Sequence, residues 1–297
     1  DLRAGIADLR ELLSRQGYDI RTLGAGQGLL NKIPGDAGIV FIAGPTQRFQ
    51  PEEIETLKGF ANDGGRLYVM MDPAGEDANK DLGELLKIIG VRFNGQVLCN
   101  SEMFAPRTHK AADHANIALT GFSSHVSVTT LSRVSGRAAV ISPRSGWLEK
   151  IGMETPAGVN LDFTMRTMPN TWADNNGNFT YEQGEKRQIY EVSAAATKPL
   201  ADSKDKRELR MAVLASVDGV SDMVLRNQAN LVMVLDTVKW LMGDEAIVAD
   251  VVQESDAPIV HTNAQDKLWF YSTIFAAPIL ILVGGLLYSR RGRRRAS

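Results

Sequence analysis

Cysteine is almost absent from this chain, because Cys99 is the one thiol among 297 residues. A single thiol excludes an internal disulfide and a zinc site built from several cysteines. A large chain without disulfides is more typical of a bacterial cell envelope than of a small, disulfide-stapled secreted protein.

A nucleotide-binding loop is also missing. The sequence contains no G-x-x-x-x-G-K-[ST] motif. Its glycine-rich stretch GAGQGLL (24–30) has Leu29 where a G-x-G-x-x-G motif has its third glycine. We therefore expect a surface turn at 24–30 and no nucleotide hydrolysis by this chain.

Basic charge is scarce outside the last residues. The sequence has 33 basic and 35 acidic residues, and five of the basic ones lie in the final stretch SRRGRRRAS. The remainder carries about seven net negative charges, whereas a nucleic-acid partner favours a basic face. Nucleic acid is therefore not an expected partner.

Charge is absent altogether from Leu268 to Tyr288. As a helix this run is about 31 Å long, which matches the hydrocarbon core of a bilayer, so residues 267–289 are predicted to form a transmembrane helix. The positive-inside tendency places the arginine tail in the cytoplasm and the bulk of the chain outside, at the bacterial inner membrane. A buried core helix is the alternative. The predicted contacts with the lipid bilayer are Trp269, Tyr288, Arg290, Arg291, Arg293, Arg294 and Arg295.

The chain has neither an initiator methionine nor a signal peptide. Because a domain needs a targeting segment to cross the membrane, we expect this chain to be the C-terminal part of a longer protein. Its α/β pattern also begins on a helix, which predicts a first strand upstream of Asp1.

Short apolar strands alternate with amphipathic helices in the first hundred residues. Such alternation predicts a parallel sheet with helices on both faces. The same pattern returns after residue 207. The predicted helices are 1–16, one opening at Pro51 and ending at Gly64, 80–90 and 223–242; the predicted strands are 18–23, 37–44, 66–71 and 208–217.

The intervening region is richer in Ser, Thr, Asn and Gly and predicts a mixed α+β insertion. Its strand-like pieces are 125–132, 137–142, 159–167 and 189–197. The predicted organisation is therefore a first part of the α/β domain at 1–99, the insertion or subdomain at 100–207, a return to the α/β domain at 208–249, a tether at 250–266, the membrane helix at 267–289 and a cytoplasmic basic tail at 290–297.

Polar residues follow three of the predicted strands. Ligands of open α/β sheets bind at the carboxyl ends of strands, so Asp72 and Asp218 are candidates to bind a hydroxyl-bearing ligand or a cation. Gly44-Pro45-Thr46 ends a third strand. The alternative is that both aspartates cap helices and turns, as Asp commonly does.

Cys99 and the nearby histidines form the one set that could supply a nucleophile and a base. A cysteine hydrolase needs its thiol on a tight strand-to-helix turn with amides for an oxyanion, and the sequence after Cys99 does not predict one. His109 and His114 are too few to indicate a metal site, and His125 lies farther along. We therefore predict no catalytic residue, no metal and no cofactor.

The stretch IPGDAGIVFIAGPTQRFQPEEIETLKGFANDGGRLYVMMDP (33–73) resembles the auxiliary proteins of gliding-motility-type ABC transporters, the GldG-like family. RTMPNTWAD (166–174), the region 217–245 and the terminal apolar run with its basic tail continue the likeness, although VDGVSD departs from the family's usual strand end. The resemblance implies a glutamine-amidotransferase-like domain outside the membrane and no catalytic residues. The predicted fold is thus a three-layer, parallel-sheet α/β domain of the glutamine-amidotransferase-like or flavodoxin-like kind, with a mixed insertion and one C-terminal transmembrane helix.

The resemblance also leads to a functional hypothesis. The chain is expected to be a non-catalytic, membrane-anchored auxiliary subunit of an ABC transport system, with the permease and ATPase subunits as partners. Its extracytoplasmic domain would contact the transported substrate or an envelope polymer. The alternatives are a cell-envelope cysteine hydrolase using Cys99, and a sugar- or peptidoglycan-binding module using Asp72 and Trp172.

Overall fold

The alternation of strands and helices in the first hundred residues is present in the structure. The computed structural model describes residues 5–200 and 207–244, together with residues 274, 275 and 278. Residues 1–247 form one unit and residues 248–297 another. The first elements are α1 (Ala7–Arg15), β1 (Val40–Ala43), α2 (Pro51–Asn62), β2 (Arg66–Met70), α3 (Glu76–Leu86), β3 (Val91–Asn94) and β4 (Leu98–Cys99).

Helix α2 begins at the residue where its sequence predicts a helix start. Pro51 occupies the first turn, and the Glu53 carboxylate accepts the Gln50 backbone N–H at 2.8 Å in a capping box. Its apolar stripe, with Ile54 and Leu57 buried, faces the sheet.

The second half of the chain is mostly strand. After a 3₁₀ turn at Ala111–Ala115 it adds β5 (Asn116–Leu119), β6 (Gly121–Phe122), α4 (Thr129–Arg133), β7 (Val140–Pro143), β8 (Trp147–Lys150), β9 (Asn160–Arg166), β10 (Trp172–Ala173), β11 (Glu191–Pro199), β12 (Glu208–Leu214) and α5 (Gln228–Met242).

Eight strands form one mixed sheet. β1, β2 and β12 are parallel neighbours. β11 is antiparallel to β12, β9 and β8, while β3 adds to β8 and β6 adds to β9, both antiparallel. Two small antiparallel pairs, β10 with β4 and β5 with β7, lie apart from this sheet. The core is continuous across β2 and β12, whose apolar side chains are almost completely buried.

The predicted parallel, three-layer sheet is wrong, because only β1, β2 and β12 pair in parallel and the other pairs of the sheet are antiparallel. The reason is the short link between β11 and β12, which comprises residues 200–207 alone. A parallel connection needs a crossover of about a dozen residues or more, so this link imposes an antiparallel pair. The stretch 100–207 also supplies β6, β8, β9 and β11 to the main sheet.

Within the described ranges, no helix has both the length and the apolar character that a bilayer crossing requires. The membrane helix of the predicted fold is therefore not found there. Its residues 267–289 and the tail 290–297 lie outside the described part of the chain, apart from 274, 275 and 278. The predicted bilayer contacts Trp269, Tyr288, Arg290, Arg291, Arg293, Arg294 and Arg295 likewise lie outside it.

Two predicted strands are not strands. Residues 18–23 have no regular secondary structure and form no ladder with another described strand. Residues 125–132 form a 3₁₀ turn at Val126–Val128 and then α4. The Thr130 backbone N–H and hydroxyl donate to the Asp236 carboxylate of α5 at 2.9 and 3.1 Å, so a tertiary contact overrides the strand preference of this β-branched run.

Gly44 provides a test of how closely the strand ends approach one another. Its φ is +51°, and a Cβ there would lie 2.6 Å from Cγ1 of Val217. Gly44→Ala should therefore lower the free energy of unfolding by about 1–3 kcal/mol, measured by urea denaturation.

Gly59→Ala is the matched control. It lies inside α2 with open space around its Cα, so alanine should raise the free energy of unfolding by about 0.5–1 kcal/mol. Equal stability of Gly44→Ala and the wild type would contradict the described contact.

Candidate functional site

The carboxyl ends of the three parallel strands meet at one edge of the sheet. The Gly44 N–H donates to the Met70 carbonyl at 2.9 Å, and the Met71 N–H donates to the Leu214 carbonyl at 2.8 Å. The Val217 N–H then donates to the Met71 carbonyl at 2.8 Å. The ends of β1, β2 and β12 are thus directly joined, at the edge where the sequence predicts a ligand site.

Asp72 follows β2 and shapes the turn into α3. Its Oδ1 accepts the Ala74 backbone N–H at 2.9 Å, while its backbone carbonyl accepts from the Gly75 N–H and the Asn79 side-chain amide. The side chain is buried. These contacts are those of an aspartate that fixes a turn.

Asp218 follows β12 and is held by an arginine from another strand end. Arg144, directly after β7, donates to Oδ2 of Asp218 from Nε at 2.8 Å and from Nη2 at 2.6 Å. The aspartate is buried, whereas half of the arginine side chain is exposed. Arg144 has a φ of +45°, a left-handed conformation that non-glycine residues rarely adopt. The ion pair therefore occupies the position predicted for a ligand.

Ser221 and Asp222 are engaged in the same way. The Ser221 hydroxyl donates to the Asp218 backbone carbonyl at 2.8 Å. The Asp222 carboxylate accepts the Asp8 N–H at 2.8 Å in the first turn of α1. The predicted ligands Asp72 and Asp218, and Asp222 beside them, are therefore all bonded to other parts of the domain.

The Cys99 thiol is buried, and the ring nitrogens of His114 and His125 contact other groups. Cys99 is fully buried in β4, and burial, reinforced by the charges of Asp174 and Glu185, raises its pKa to about 12. His114 Nδ1 lies 2.8 Å from the Phe179 carbonyl, and His125 Nδ1 lies 2.9 Å from the Ser127 hydroxyl in a 3₁₀ turn. A thiol with a raised pKa is a poor nucleophile at neutral pH.

His109 is exposed, and its backbone N–H donates to the Asp113 carboxylate at 2.7 Å. Asp113 accepts three backbone N–H groups and the Thr108 hydroxyl, which lower its pKa to about 2 against the opposing effect of desolvation. In the described part of the chain, no three His, Cys, Asp or Glu side chains converge to form a metal site.

A groove that the sequence did not predict lies where the sheet divides. Glu191, the first residue of β11, pairs with Leu148 of β8 and with Arg166 of β9, so the two strands leave β11 on opposite sides. The groove has a volume of about 230 Å³, and an adjoining hollow of about 90 Å³ shares Phe163 and Glu191. The principal lining residues are Trp147, Phe163, Gln188, Ile189, Tyr190 and Glu191.

The groove combines aromatic and ionisable groups. Trp147 and Tyr190 meet edge to face with ring centroids 5.1 Å apart. Burial raises the pKa of Glu191, whereas hydrogen bonds from Arg92 and Trp147 lower that of Glu149. Period-two alternation indicates the strands, but their meeting at Glu191 depends on pairing with the distant residues Leu148 and Arg166, which no local pattern reveals.

No family model matches the chain, and no curated protein matches it. Among solved structures, it is similar to the N-terminal domain of mmIFT52, with 18% identity and a TM-score of 0.57, over 80% of this chain and 91% of that one. A ThuA-like protein from Bacteroides uniformis aligns with 11% identity and a TM-score of 0.45, over 79% and 82% of the two chains. At 18% identity, the first similarity shows a shared fold and nothing about function. The second has a TM-score below 0.5, and we base no conclusion on it.

The Cys99 thiol should be inert in the folded protein. Because its pKa is about 12, a thiol-reactive probe at pH 7.5 should label it only as fast as the protein unfolds. Rapid labelling of the native protein would contradict the buried position.

The same pKa predicts how stability depends on pH. An unfolded thiol ionises near pH 8.5 and the folded one near pH 12, so the unfolded state alone releases its proton between them. The free energy of unfolding should therefore fall as pH rises above about 8.5, by at most about 1.4 kcal/mol per pH unit. Cys99→Ala should lose this component, measured as the difference between the two proteins' urea denaturation at pH 7.5 and pH 9.5.

Proposed function

We propose that this chain is a non-catalytic auxiliary subunit of an ABC transport system, attached to the bacterial inner membrane. The permease and ATPase subunits are its partners, and the chain contributes no nucleotide-binding loop of its own. The sequence resemblance to GldG-like auxiliary proteins and the arginine-ended apolar stretch 268–295 motivate the proposal.

One structural observation supports a binding role over a catalytic one. The groups that could do chemistry, namely Cys99, Asp72 and Asp218, are all engaged inside the domain. One described feature that is open to a partner is the divided-sheet groove, and its lining residues do not pair a nucleophile with a base. An enzyme based on Cys99 is therefore the less supported alternative.

The groove has the mixture of surfaces that a polymer or peptide segment requires. Ile189 is 50% exposed and supplies apolar contact, while Gln188 and Glu191 supply hydrogen-bonding groups beside it. Binding sites commonly combine an apolar lining with a few polar groups that orient the ligand. We assign this groove the contact with the transported substrate or an envelope polymer.

A sugar-binding module built on Trp172 is not supported. Trp172 is fully buried, with Tyr181 and His114 against its ring, so it offers no face on which a sugar could stack.

Mild detergent extraction of the full-length protein from its native membrane tests the assignment. The permease and the ATPase should both be recovered with it and identified by mass spectrometry, and the purified protein should hydrolyse no ATP. Recovery of the protein without either subunit would contradict the proposal.

The groove is tested separately with two aspartate variants of exposed apolar residues. Ile189→Asp should abolish transport in vivo while leaving thermal stability within about 0.5 kcal/mol, because surface substitutions are usually this mild. Val134→Asp, 39% exposed and away from the groove, is the matched control and should transport normally. Normal transport by Ile189→Asp would remove the groove from the mechanism.

A further inference from the structure

Strand β8 is joined to β11 through one residue pair, and the two segments then separate. Among the described strands, Leu148 pairs with Glu191, whereas the pair that would follow, Lys150 with Ile189, is not formed. The divided-sheet groove lies between the separated segments. Consecutive residues of both segments line it, namely 147–150 and 188–191. The groove is therefore a gap in the sheet between two stretches of backbone.

The backbone of Lys150 faces this gap. The Ile151 N–H donates to the Gly90 carbonyl at 2.8 Å, which continues the ladder between β8 and β3. In an antiparallel ladder, hydrogen-bonded pairs alternate with pairs whose N–H and C=O point away from the partner. The N–H and C=O of Lys150 therefore point away from β3. Gly146, four positions earlier, points the same way and donates its N–H to the Ala215 carbonyl at 3.0 Å.

The backbone of Ile189 faces the same gap from the other side. The Gln188 N–H donates to the Thr171 carbonyl at 2.9 Å, and the Tyr190 carbonyl accepts the Thr167 N–H at 2.8 Å. Residues 188 and 190 thus both face the chain that follows β9. This period of two is that of a strand, and it turns the N–H and C=O of Ile189 towards β8. Backbone donors and acceptors of both segments therefore face each other across the groove.

A carboxylate lies at the closed end of the groove. Glu191 is half-buried and lines both the groove and the adjoining hollow. Burial raises its pKa and the charge of Arg166 lowers it, yet in the described part of the chain neither a hydrogen bond nor an ion pair reaches its carboxylate. The neighbouring Glu149 differs, because Arg92 and Trp147 both donate to it. A partly buried carboxylate is stabilised by a cationic partner, so Glu191 is matched to a ligand that carries one.

We propose that the groove binds a segment of another polypeptide in extended conformation, with a lysine or arginine side chain placed against Glu191. The backbone of the segment forms hydrogen bonds with Lys150 and Ile189, as an added strand does at the edge of a sheet. The methylene stem of its basic side chain lies along Ile189 and Phe163, and the charge reaches the carboxylate. This inference rests on the proposed function, which gives the groove its contact with a substrate or polymer, and it identifies that contact as a polypeptide.

The groove is less suited to a glycan. Backbone N–H and C=O groups recur along a strand about every 3.4 Å, and so match the backbone groups that face the gap. The aromatic rings of the groove offer little face to a sugar, because Trp147 and Tyr190 are only 9% and 5% exposed and contact each other edge to face. Strand and sheet spacings give each residue of a strand about 160 Å³. The groove of about 230 Å³ therefore encloses one or two residues of the bound segment.

The full-length protein in mild detergent tests the proposal with defined probes. The peptide probe is acetyl-Thr-Val-Lys-Val-Thr-amide. Its controls are the same peptide with glutamate in place of lysine and a fully N-methylated version without backbone N–H groups. Calorimetric titration should show saturable binding of the lysine peptide, at least about tenfold weaker binding of the glutamate peptide, and no binding of the N-methylated peptide. Equal binding of the three peptides, or binding of a chitin oligomer in their place, would overturn the proposal.

Three variants locate the contacts. Glu191→Gln should weaken binding of the lysine peptide at least about tenfold and remove the preference over the glutamate peptide. Ile189→Pro removes the N–H that faces the groove and should weaken binding of both peptides, and the N-methylated peptide supplies the same test if this variant fails to fold. Asp162→Asn removes an exposed charge on β9 outside the groove and should bind as the wild type does. Wild-type preference for the lysine peptide in a folded Glu191→Gln protein would refute the assignment.

The titration needs neither the permease nor the ATPase, so it separates this inference from the proposed function. A protein that is recovered with both subunits but binds no peptide would overturn the inference alone. Peptide binding with the expected selectivity, by a protein recovered without either subunit, would support the inference and contradict the proposed transport role.

Discussion

The backbone pairing of β12 on both of its edges determines how the strands of this domain are arranged. On one side its backbone pairs in parallel with β2 from Arg66 to Met70, and on the other it pairs antiparallel with β11 along seven residue pairs. This strand has partners on both edges, and its side chains from Met211 to Leu214 are almost completely buried on both faces of the sheet. A slip by one residue would exchange the side chains that pack on the two faces and shift both ladders at once.

The polar groups at the strand ends form hydrogen bonds and ion pairs with other groups of the domain. Asn230 of α5 accepts the Ile141 N–H through Oδ1 and donates through Nδ2 to the Ile141 and Gly219 carbonyls, each at 2.8–2.9 Å. The Arg144–Asp218 ion pair closes the neighbouring position. A buried network whose members are satisfied rigidifies its surroundings, which explains why this edge is closed although its residue types suggest a ligand site. In the loop after β10, the buried Asp174 and Glu185 carboxylates are likewise satisfied, because they accept backbone N–H groups of the loop itself.

Local sequence patterns predicted those helices and strands whose structure depends mainly on residues close to them in the chain. The start of α2 at Pro51, the apolar run of β2 and the segment that forms β12 were all predicted from periodicity and from the positions of Pro and Gly. The antiparallel orientation of β11 relative to β12 could not be predicted in this way. It depends on the short link 200–207 between the two strands and not on the residues of β11 itself. At 125–132 a bond to Asp236 of α5 outweighed strand preference. Asp72 and Asp218 were placed correctly at strand ends, but their partners, such as Arg144, come from distant segments that spacing does not reveal.

Native-state hydrogen exchange of the β12 amides tests the central role of this strand most directly. If the paired strand is the last element to open, the amides of Met211 and Val213 should exchange only through global unfolding. Their exchange free energies should then equal the free energy of unfolding from denaturant titration. Exchange of these amides through local opening, at free energies as low as those of the α1 amides, would contradict the account.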